Sequence, residues 1–370
     1  MIAVPAVEPI PAGIVSLDDH ERHAHMRLDD NAWAYLAGGA GDEITLRANR
    51  SAWASIQLQT RVLRDLRGGH TRVTVLGRRL AHPILLAPVA FQRMAHTDGE
   101  IASAMAAAMQ GAGMVLSSQA SVPLEHVARV YLGEATRGPL WFQLYFQHDR
   151  AFTLDLVRRA EQAGYEALVV TVDAPCSGVR DRERRAAFAL PPGISAVNLS
   201  DLPPPATMTL EPDQSRMFDG LLRHAPTWDD IAWLRNQTRL PLLLKGVTHA
   251  DDALNARDAG AAGLVVSNHG GRTLDTMPAT AALLPPIRQK LGDDFTLLVD
   301  GGIRRGTDVL KAVALGADAV LIGRPYVFGL ANAGAMGVSH VLRLLRDELE
   351  VAMALAGCKT LEDVGAVVTR

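Results

Sequence analysis

The stretch Gly263-Leu264-Val265-Val266-Ser267-Asn268-His269-Gly270-Gly271-Arg272-Thr273-Leu274-Asp275 runs an apolar segment directly into a histidine, two glycines and an arginine. Residues Gly263 to Val266 are short and uniformly apolar, the pattern of a strand buried on both faces. Polar groups this close to the end of a buried strand face either a ligand or solvent. A histidine such as His269 exchanges a proton near neutral pH. Arg272, three positions on, offers a planar fork that grips a carboxylate through two parallel hydrogen bonds. Gly270 and Gly271 let the backbone turn tightly and come close to a ligand. A surface turn with a solvated arginine and an unengaged histidine is the plainer alternative, and the remainder of the chain decides between the two.

From residue 84 onward, short apolar strands alternate with amphipathic helices. Strands are expected at Ile84–Ala90, Met114–Ser117, Leu140–Tyr145, Ala167–Asp173, Leu242–Lys245, Leu264–Ser267, Thr296–Asp300 and Ala319–Gly323. Helices fit between them at Glu100–Ala112, Arg150–Ala163, Ala250–Ala259 and Thr307–Leu315. Gly164, Gly260 and Gly316 follow three of these, as glycine commonly does just past a helix C-terminus. Eight strand–helix units predict an α/β fold, a (β/α)8 TIM barrel, with a doubly wound open sheet as the alternative.

A barrel gathers the C-terminal ends of its strands on one rim, where the chemistry of such folds sits. Here the ends carry Ala87-Pro88-Val89-Ala90, Ser117-Ser118-Gln119, Gln143-Leu144-Tyr145, Thr171-Val172-Asp173, Lys245, Ser267 with His269, Asp300-Gly301-Gly302 and Gly323-Arg324. The last two continue as Asp300-Gly301-Gly302-Ile303-Arg304 and Ile322-Gly323-Arg324, joining glycine amides to two arginines. Barrels commonly bind phosphate at this place. Ser117, Gln143, Thr171 and Lys245 suit the edge of a planar polar ring, and Lys245 puts positive charge beside a ring that gains electrons. No strand leads into a Gly-x-Gly-x-x-Gly helix start, which argues against nicotinamide.

The other segments frame this body. A helix is expected from Ser16-Leu17-Asp18-Asp19, where Ser or Asp can cap. A second covers Asp30–Leu36, and a third opens at Thr45 after the glycine-rich turn 37–43. Val73–Leu76 before Gly77 reads as a hairpin outside the main body. Pro191 to Thr227 has Pro203-Pro204-Pro205 and no periodicity, and reads as a lid over the barrel mouth or as an insertion without a role. Met336–Leu355 is a long amphipathic helix. The chain therefore divides into a flexible lead, 1–15, and a single domain, 16–370.

Composition narrows the classes. A 370-residue chain with 48% hydrophobic residues builds a large core. Its net charge of −3 offers no electrostatic case for nucleic acid. Cys176 and Cys358 form neither a disulfide framework nor a metal spacing, so no metal is expected and a reducing compartment is the default. No run approaches the roughly 20 apolar residues of a membrane span, and no signal peptide is evident.

Taken together these motifs resemble the FMN-dependent 2-hydroxy acid oxidases and dehydrogenases, a family that includes glycolate, lactate and hydroxymandelate oxidases and mandelate dehydrogenase. The resemblance runs from about Ser16 to Cys358. It rests on Tyr35-x-x-Gly-Gly-Ala, Ala87-Pro-x-Ala, Met94-Ala-His, Gln143-Leu-Tyr, Thr171-Val-Asp, Leu244-Lys-Gly, Ser267-Asn-His-Gly-Gly-Arg, Asp300-Gly-Gly-Ile-Arg and Ile322-Gly-Arg-Pro. It implies FMN as cofactor, a small (S)-2-hydroxy acid as substrate, and a homotetramer. His269 is then the base that takes a substrate proton as two electrons pass to FMN. Asp173 pairs with the histidine, and an adjacent anion raises a histidine pKa. Arg180 and Arg272 hold the substrate carboxylate, helped by Tyr35, with Tyr145 near the substrate hydroxyl. Lys245, Ser117, Gln143, Thr171, Ser267 and Ala87 to Ala90 become flavin contacts, and Asp300, Gly302, Arg304, Gly323 and Arg324 ribityl and phosphate contacts. His96, also within a motif, is expected to be structural.

Two departures bear on the substrate. Plant glycolate oxidases carry tryptophan at the position of Gln119 and a bulky apolar residue at that of Ser177. The replacements imply a roomier, more polar pocket and a substrate larger than glycolate, such as mandelate or 4-hydroxymandelate. Ala90 matches the alanine of oxidases, which implies oxygen as acceptor, with a dehydrogenase passing electrons to a quinone as the alternative. The polar, proline-rich 191–227 region lacks the apolar insertion of membrane-bound relatives, so a cytoplasmic enzyme is expected. A flavin-free barrel acting on a phosphorylated metabolite would use the same phosphate cradle and is the reading from another class.

Overall fold

The computed structural model describes residues 8–205 and 209–368. The first seven residues of the expected lead, and 206–208 of the expected lid, lie outside these. Ile14, at the end of the lead, is buried, and Glu8 accepts a hydrogen bond from His96 Nε2 at 2.8 Å.

Three helices precede the barrel: α1 (Leu17–Arg27), α2 (Asp30–Ala37) and α3 (Ile44–Ser55). Ser16 caps α1 by accepting from the Asp19 amide, and Asp29 caps α2 by accepting from that of Ala32. A hairpin follows, β1 (Val73–Val75) and β2 (Arg78–Leu80). Eight parallel strands come next: β3 (Ile84–Leu86), β4 (Gly113–Ser117), β5 (Leu140–Leu144), β6 (Ala167–Thr171), β7 (Leu242–Val247), β8 (Gly263–Val266), β9 (Thr296–Asp300) and β10 (Ala319–Ile322). β10 pairs with both β9 and β3, so the sheet closes and the open-sheet alternative falls. The outer layer is α4 (Gly99–Met109), α5 (Leu124–Leu132), α6 (Arg150–Ala163), α7 (Asp181–Arg185), α8 (Trp228–Arg235), α9 (Ala250–Asp258), α10 (Thr280–Leu291), α11 (Gly306–Ala314) and α12 (Arg324–Ala356).

The strands obey the two-residue alternation of a filled barrel. Leu85, Val115, Trp141, Val169, Leu243, Val265, Leu298 and Leu321 make one buried cluster inside it. Their neighbours Ile84, Leu86, Met114, Leu116, Leu168 and Val170 belong to a second cluster under the helices.

Two expectations need correction. The hairpin is not outside the main body: Val75 and Leu80 are buried in the same cluster as the barrel interior and stopper its N-terminal end. Its three-residue strands gave no periodicity from which that burial could be read. β3 stops at Leu86, four residues short, because the ladder cannot continue through Pro88. The helix expected at Met336–Leu355 is present as the second part of α12, beyond a break at Ala333 and Gly334 whose backbone is not helical; the helical stretch from Arg324 that precedes the break was not anticipated.

Between α7 and α8 the chain makes short turns, including Val197–Leu199 and Leu221–His224. Asn198 is buried and accepts from the Leu124 amide, which ties the first part of this segment to α5.

Candidate active site

The C-terminal ends of the strands surround a cavity of about 800 Å³. Tyr35, Ala87, Pro88, Val89, Ala90, Ser117, Gln119, Gln143, Tyr145, Thr171, Arg180, Lys245, His269, Arg272, Asp300, Gly302, Arg304, Gly323 and Arg324 all line it. Residues from every strand end and from the loop before α7 therefore converge. Asp173 and Ser267 do not reach the wall. They stand behind it and hold groups that do.

His269 has a left-handed backbone with φ 55°, and its amide donates to Ser267 Oγ at 3.0 Å. The ring's Nδ1 lies 2.9 Å from Asp173 Oδ1. A carboxylate only accepts, so Nδ1 carries the hydrogen and Nε2 is left as the basic nitrogen. Burial pulls the His269 pKa below its ordinary value, Lys245 adds to this, and Asp173 pulls the other way. The carboxylate raises it as expected, but burial and Lys245 outweigh that and the net direction is downward. Burial alone would raise Asp173 in turn, but His269 and Lys245 prevail and hold it below the ordinary carboxylate range.

Lys245 is buried at the end of β7, donating to Ser267 Oγ at 3.0 Å and lying 3.5 Å from Asp300 Oδ2. Burial disfavours its charge, yet Asp300 and Asp173 outweigh that and raise its pKa. On adjacent strands, Gln143 Nε2 donates to Thr171 Oγ1 at 3.1 Å, and Gln143 Oε1 accepts from Ser117 Oγ at 3.2 Å. The parallel register that pairs Ser117 with Gln143 fixes this row.

At the other end the cavity is cationic. Arg324 donates to three backbone carbonyls, of Ala37 at 3.1 Å, Gly270 at 2.9 Å and Gly38 at 2.7 Å. Burial, with Arg272 and Arg304 close by, pulls its pKa down to about 9, so it is still charged at neutral pH. Arg304 is shifted down by burial too, and its Nε is buried with no hydrogen-bond partner among the described residues. Asp300 Oδ1 is likewise without one. Gly302 has φ 84° and a Cβ there would lie 2.4 Å from the Asn49 carbonyl, so only glycine fits. A Cβ at Gly323 would meet only Val89 and Ala87, at 3.8 and 3.9 Å.

Two arginines line the same cavity as His269. Arg272 Nη1 donates to the carbonyls of Tyr35 at 2.6 Å and Gly38 at 2.8 Å, and its Cζ lies 5.0 Å from the centre of the Tyr35 ring. Arg180 precedes α7 and is largely buried, although it opens the charge run Arg180-Asp181-Arg182-Glu183-Arg184-Arg185, a pattern usual for a solvated helix face. Burial raises the pKa of Tyr35, and that of Tyr145 to about 12, so both phenols keep their protons as donors. Two supporting residues were not evident from the sequence. Asn49 of α3 exchanges amide hydrogen bonds with Asn268 at 2.8 and 2.9 Å, and Glu183 of α7 contacts both arginines. The three-residue spacing of Arg180 and Glu183 was a signal for the latter. Nothing local marked Asn49. His96 serves structure, between Glu8, the Asp98 amide and Gly334. Among the described residues no group of three or more His, Cys, Asp or Glu is arranged to hold a metal.

Comparison with known proteins agrees with this geometry. An L-lactate oxidase from Alicycliphilus denitrificans is 49% identical over 356 residues, covering 96% of each chain. The glycolate oxidase of Spinacia oleracea is 42% identical over 353 residues, 95% of this chain and 94% of its own. A solved structure of mandelate oxidase with (S)-2-phenylpropionate superposes with a TM-score of 0.86 at 43% identity, covering 96% of this chain and 98% of that one. Residues 24–370 match the family model for FMN-dependent dehydrogenases. The chain belongs to the FMN-dependent dehydrogenase family.

Proposed function

We propose that this protein oxidises an (S)-2-hydroxy acid to the 2-oxo acid and reduces oxygen to hydrogen peroxide. The observation that carries the reading is one cavity that brings together a buried histidine–carboxylate pair, Arg180 and Arg272, and a floor of Arg324 and Arg304 whose Nε is unpartnered. FMN, the family's cofactor, supplies the two-electron chemistry when bound. The residues fit it. Arg304 Nε and Asp300 Oδ1, both buried without partners, suit a phosphate and a hydroxyl, and Gly323 leaves room beside them. Arg324 and Gly302 complete the phosphate end. Lys245 would meet the charge of a reduced ring, with Gln143, Thr171, Ser117 and the segment Ala87 to Ala90 along its edge. Ser267 acts from behind by positioning Lys245 and His269.

Arg180 and Arg272 bind the substrate carboxylate, and Tyr35 and Tyr145 donate hydrogen bonds beside it. His269 takes a substrate proton at Nε2, and Asp173 stabilises the imidazolium that results. Gln119 and Ser177 line the cavity and leave space for a side chain larger than glycolate's, up to an aryl group. A second reading, L-lactate as the substrate, is favoured by relatives named L-lactate oxidase at 48% and 49% identity. The 191–227 segment is proposed as a lid, since Leu221, His224, Ala225 and Pro226 reach the cavity. A cytoplasmic homotetramer is also proposed. Two free cysteines suit a reducing compartment, and no described helix is long and apolar enough to cross a membrane. Exposed Leu63 and Leu355 offer apolar surface for assembly. Light scattering on the purified protein gives the assembly state.

The deciding experiment mixes the holoenzyme anaerobically with glycolate, L-lactate or (S)-mandelate and follows the visible flavin band. Bleaching, then recovery with one peroxide per turnover when air is admitted, is the expected result. A band that no 2-hydroxy acid bleaches would overturn the reading, and kcat/KM across the three acids ranks the substrates.

A further inference from the structure

Glu183 lies between the two arginines. Its Oε1 accepts from Arg180 Nη1 at 3.2 Å and from Arg272 Nη2 at 3.3 Å, and its Oε2 is 3.5 Å from Arg180 Nη1. The position is built. None of the residues of α7 is fully buried, so nothing in the helix itself draws Glu183 inward. Gly178 does: a Cβ there would lie 2.2 Å from the Thr273 carbonyl oxygen, and this close approach pins the segment before α7 against the Arg272 loop. The side chains of Arg180, Arg272 and Glu183 are then only 19%, 15% and 15% exposed.

The charge count follows. Two guanidinium groups and one carboxylate leave one positive charge on this arm. The other charges at the rim are matched or face elsewhere: Lys245 sits between Asp173 and Asp300, and Arg304 and Arg324 form the floor. Arg272 spends Nη1 on two carbonyls and one Nη2 hydrogen on Glu183. It keeps enough donors for one incoming carboxylate. A ligand with one carboxylate neutralises the arm, whereas a second carboxylate would meet Glu183 with no cation to spare.

We propose that Glu183 sets the charge selectivity of the site, matching it to 2-hydroxy acids with a single carboxylate and rejecting 2-hydroxy dicarboxylates. This rests on the reading that Arg180 and Arg272 hold the substrate carboxylate. Propionate and succinate lack the hydroxyl and are inert, so they report binding without turnover. Their dissociation constants come from perturbation of the flavin spectrum, alongside kcat/KM for L-lactate and L-malate. Glu183→Gln is expected to tighten succinate about tenfold and propionate only about threefold, the scale of one charge about 4 Å away with near-aqueous screening. The malate-to-lactate ratio of kcat/KM should rise in parallel. Glu183→Ala removes the same charge and should move both ratios the same way. Glu183→Asp keeps the charge and should leave them at the wild-type values. Ratios that stay put in Glu183→Gln and Glu183→Ala, or a uniform loss for mono- and dianion, would overturn the proposal. Arg180→Lys and Arg272→Lys in the same titration separate the two readings. If neither weakens propionate, the arginine assignment has failed. If both weaken it while the Glu183 variants leave the ratios unmoved, only the role of Glu183 has failed.

Discussion

The imidazole of His269 is under two opposing influences, and their balance sets when it works as a base. Burial and the ammonium of Lys245 favour the neutral ring, and Asp173 at 2.9 Å favours the charged one. The neutral form prevails, and the pKa lies below the ordinary histidine value. A base acts unprotonated, so kcat/KM should be level above neutral pH and fall only on the acid side, at a lower pH than an ordinary histidine would give. Asp173→Asn removes the one group that raises the histidine, so the acid limb should move to lower pH. At the same time kcat should drop by about 10²-fold or more, because the imidazolium formed on proton transfer loses its partner. An acid limb that moved upward would contradict this balance. His269→Gln should lose about 10²- to 10⁴-fold in kcat while the flavin stays bound. The histidine, its carboxylate and Arg272 could be found in the sequence, because each lies beside a strand end within a short motif, whereas Arg180, in a charge run nine residues beyond β6, followed only from the family resemblance. The sign of the histidine's shift could not, since it depends on burial and on Lys245, twenty-four residues away in the chain.

At the scale of one element, β7 shows how the frame sets that chemistry. Its pairing with β8 shifts register between Lys245 and Val247, leaving Gly246 as the extra residue of a bulge. Gly246 has φ 106°, and a Cβ there would lie 2.4 Å from both Cβ and Cγ of Asp173. The bulge thus turns Lys245 toward Ser267 and leaves the space in which Asp173 docks. Gly246→Ala should push Asp173 off its partner. The expected result is about a hundredfold loss of kcat, the cost of misplacing a group by about 1 Å, with flavin content retained and the acid limb shifted in the same direction as in Asp173→Asn. Loss of flavin with an unshifted limb would point instead to a general disruption of β7. Strand identities were legible because short apolar runs recur eight times in alternation with helical stretches. The bulge and the hairpin stopper were not, since both depend on which residues meet across the barrel.

The whole molecule buries histidines that the chemistry does not use, and these govern its tolerance of acid. His20 and His82 are both fully buried. His20 Nε2 pairs with His340 Nδ1 at 3.0 Å, and His82 Nε2 donates to the Gln110 carbonyl at 3.0 Å. Burial, helped for His20 by His340, lowers both pKa values to about 4. In the unfolded chain each histidine takes a proton near pH 6.5, and in the folded one not until about pH 4. Between these values the unfolded state binds more protons, so stability is full above about pH 6.5 and is lost as pH falls toward 4. At pH 5 the loss is about 2 kcal/mol per histidine. For a chain of this size about 4 kcal/mol lowers Tm by about 5 °C between pH 7 and pH 5. Glu100 works against this: burial raises its pKa, so it is relieved as pH falls. The histidine share is therefore best read from a variant. His82→Gln keeps a donor for the Gln110 carbonyl but cannot titrate, and should narrow the Tm difference between pH 7 and pH 5 by close to half. Calorimetry of the holoenzyme at the two pH values makes the comparison, and an undiminished difference in His82→Gln would mean that carboxylates, not buried neutral histidines, set the acid limit of the fold.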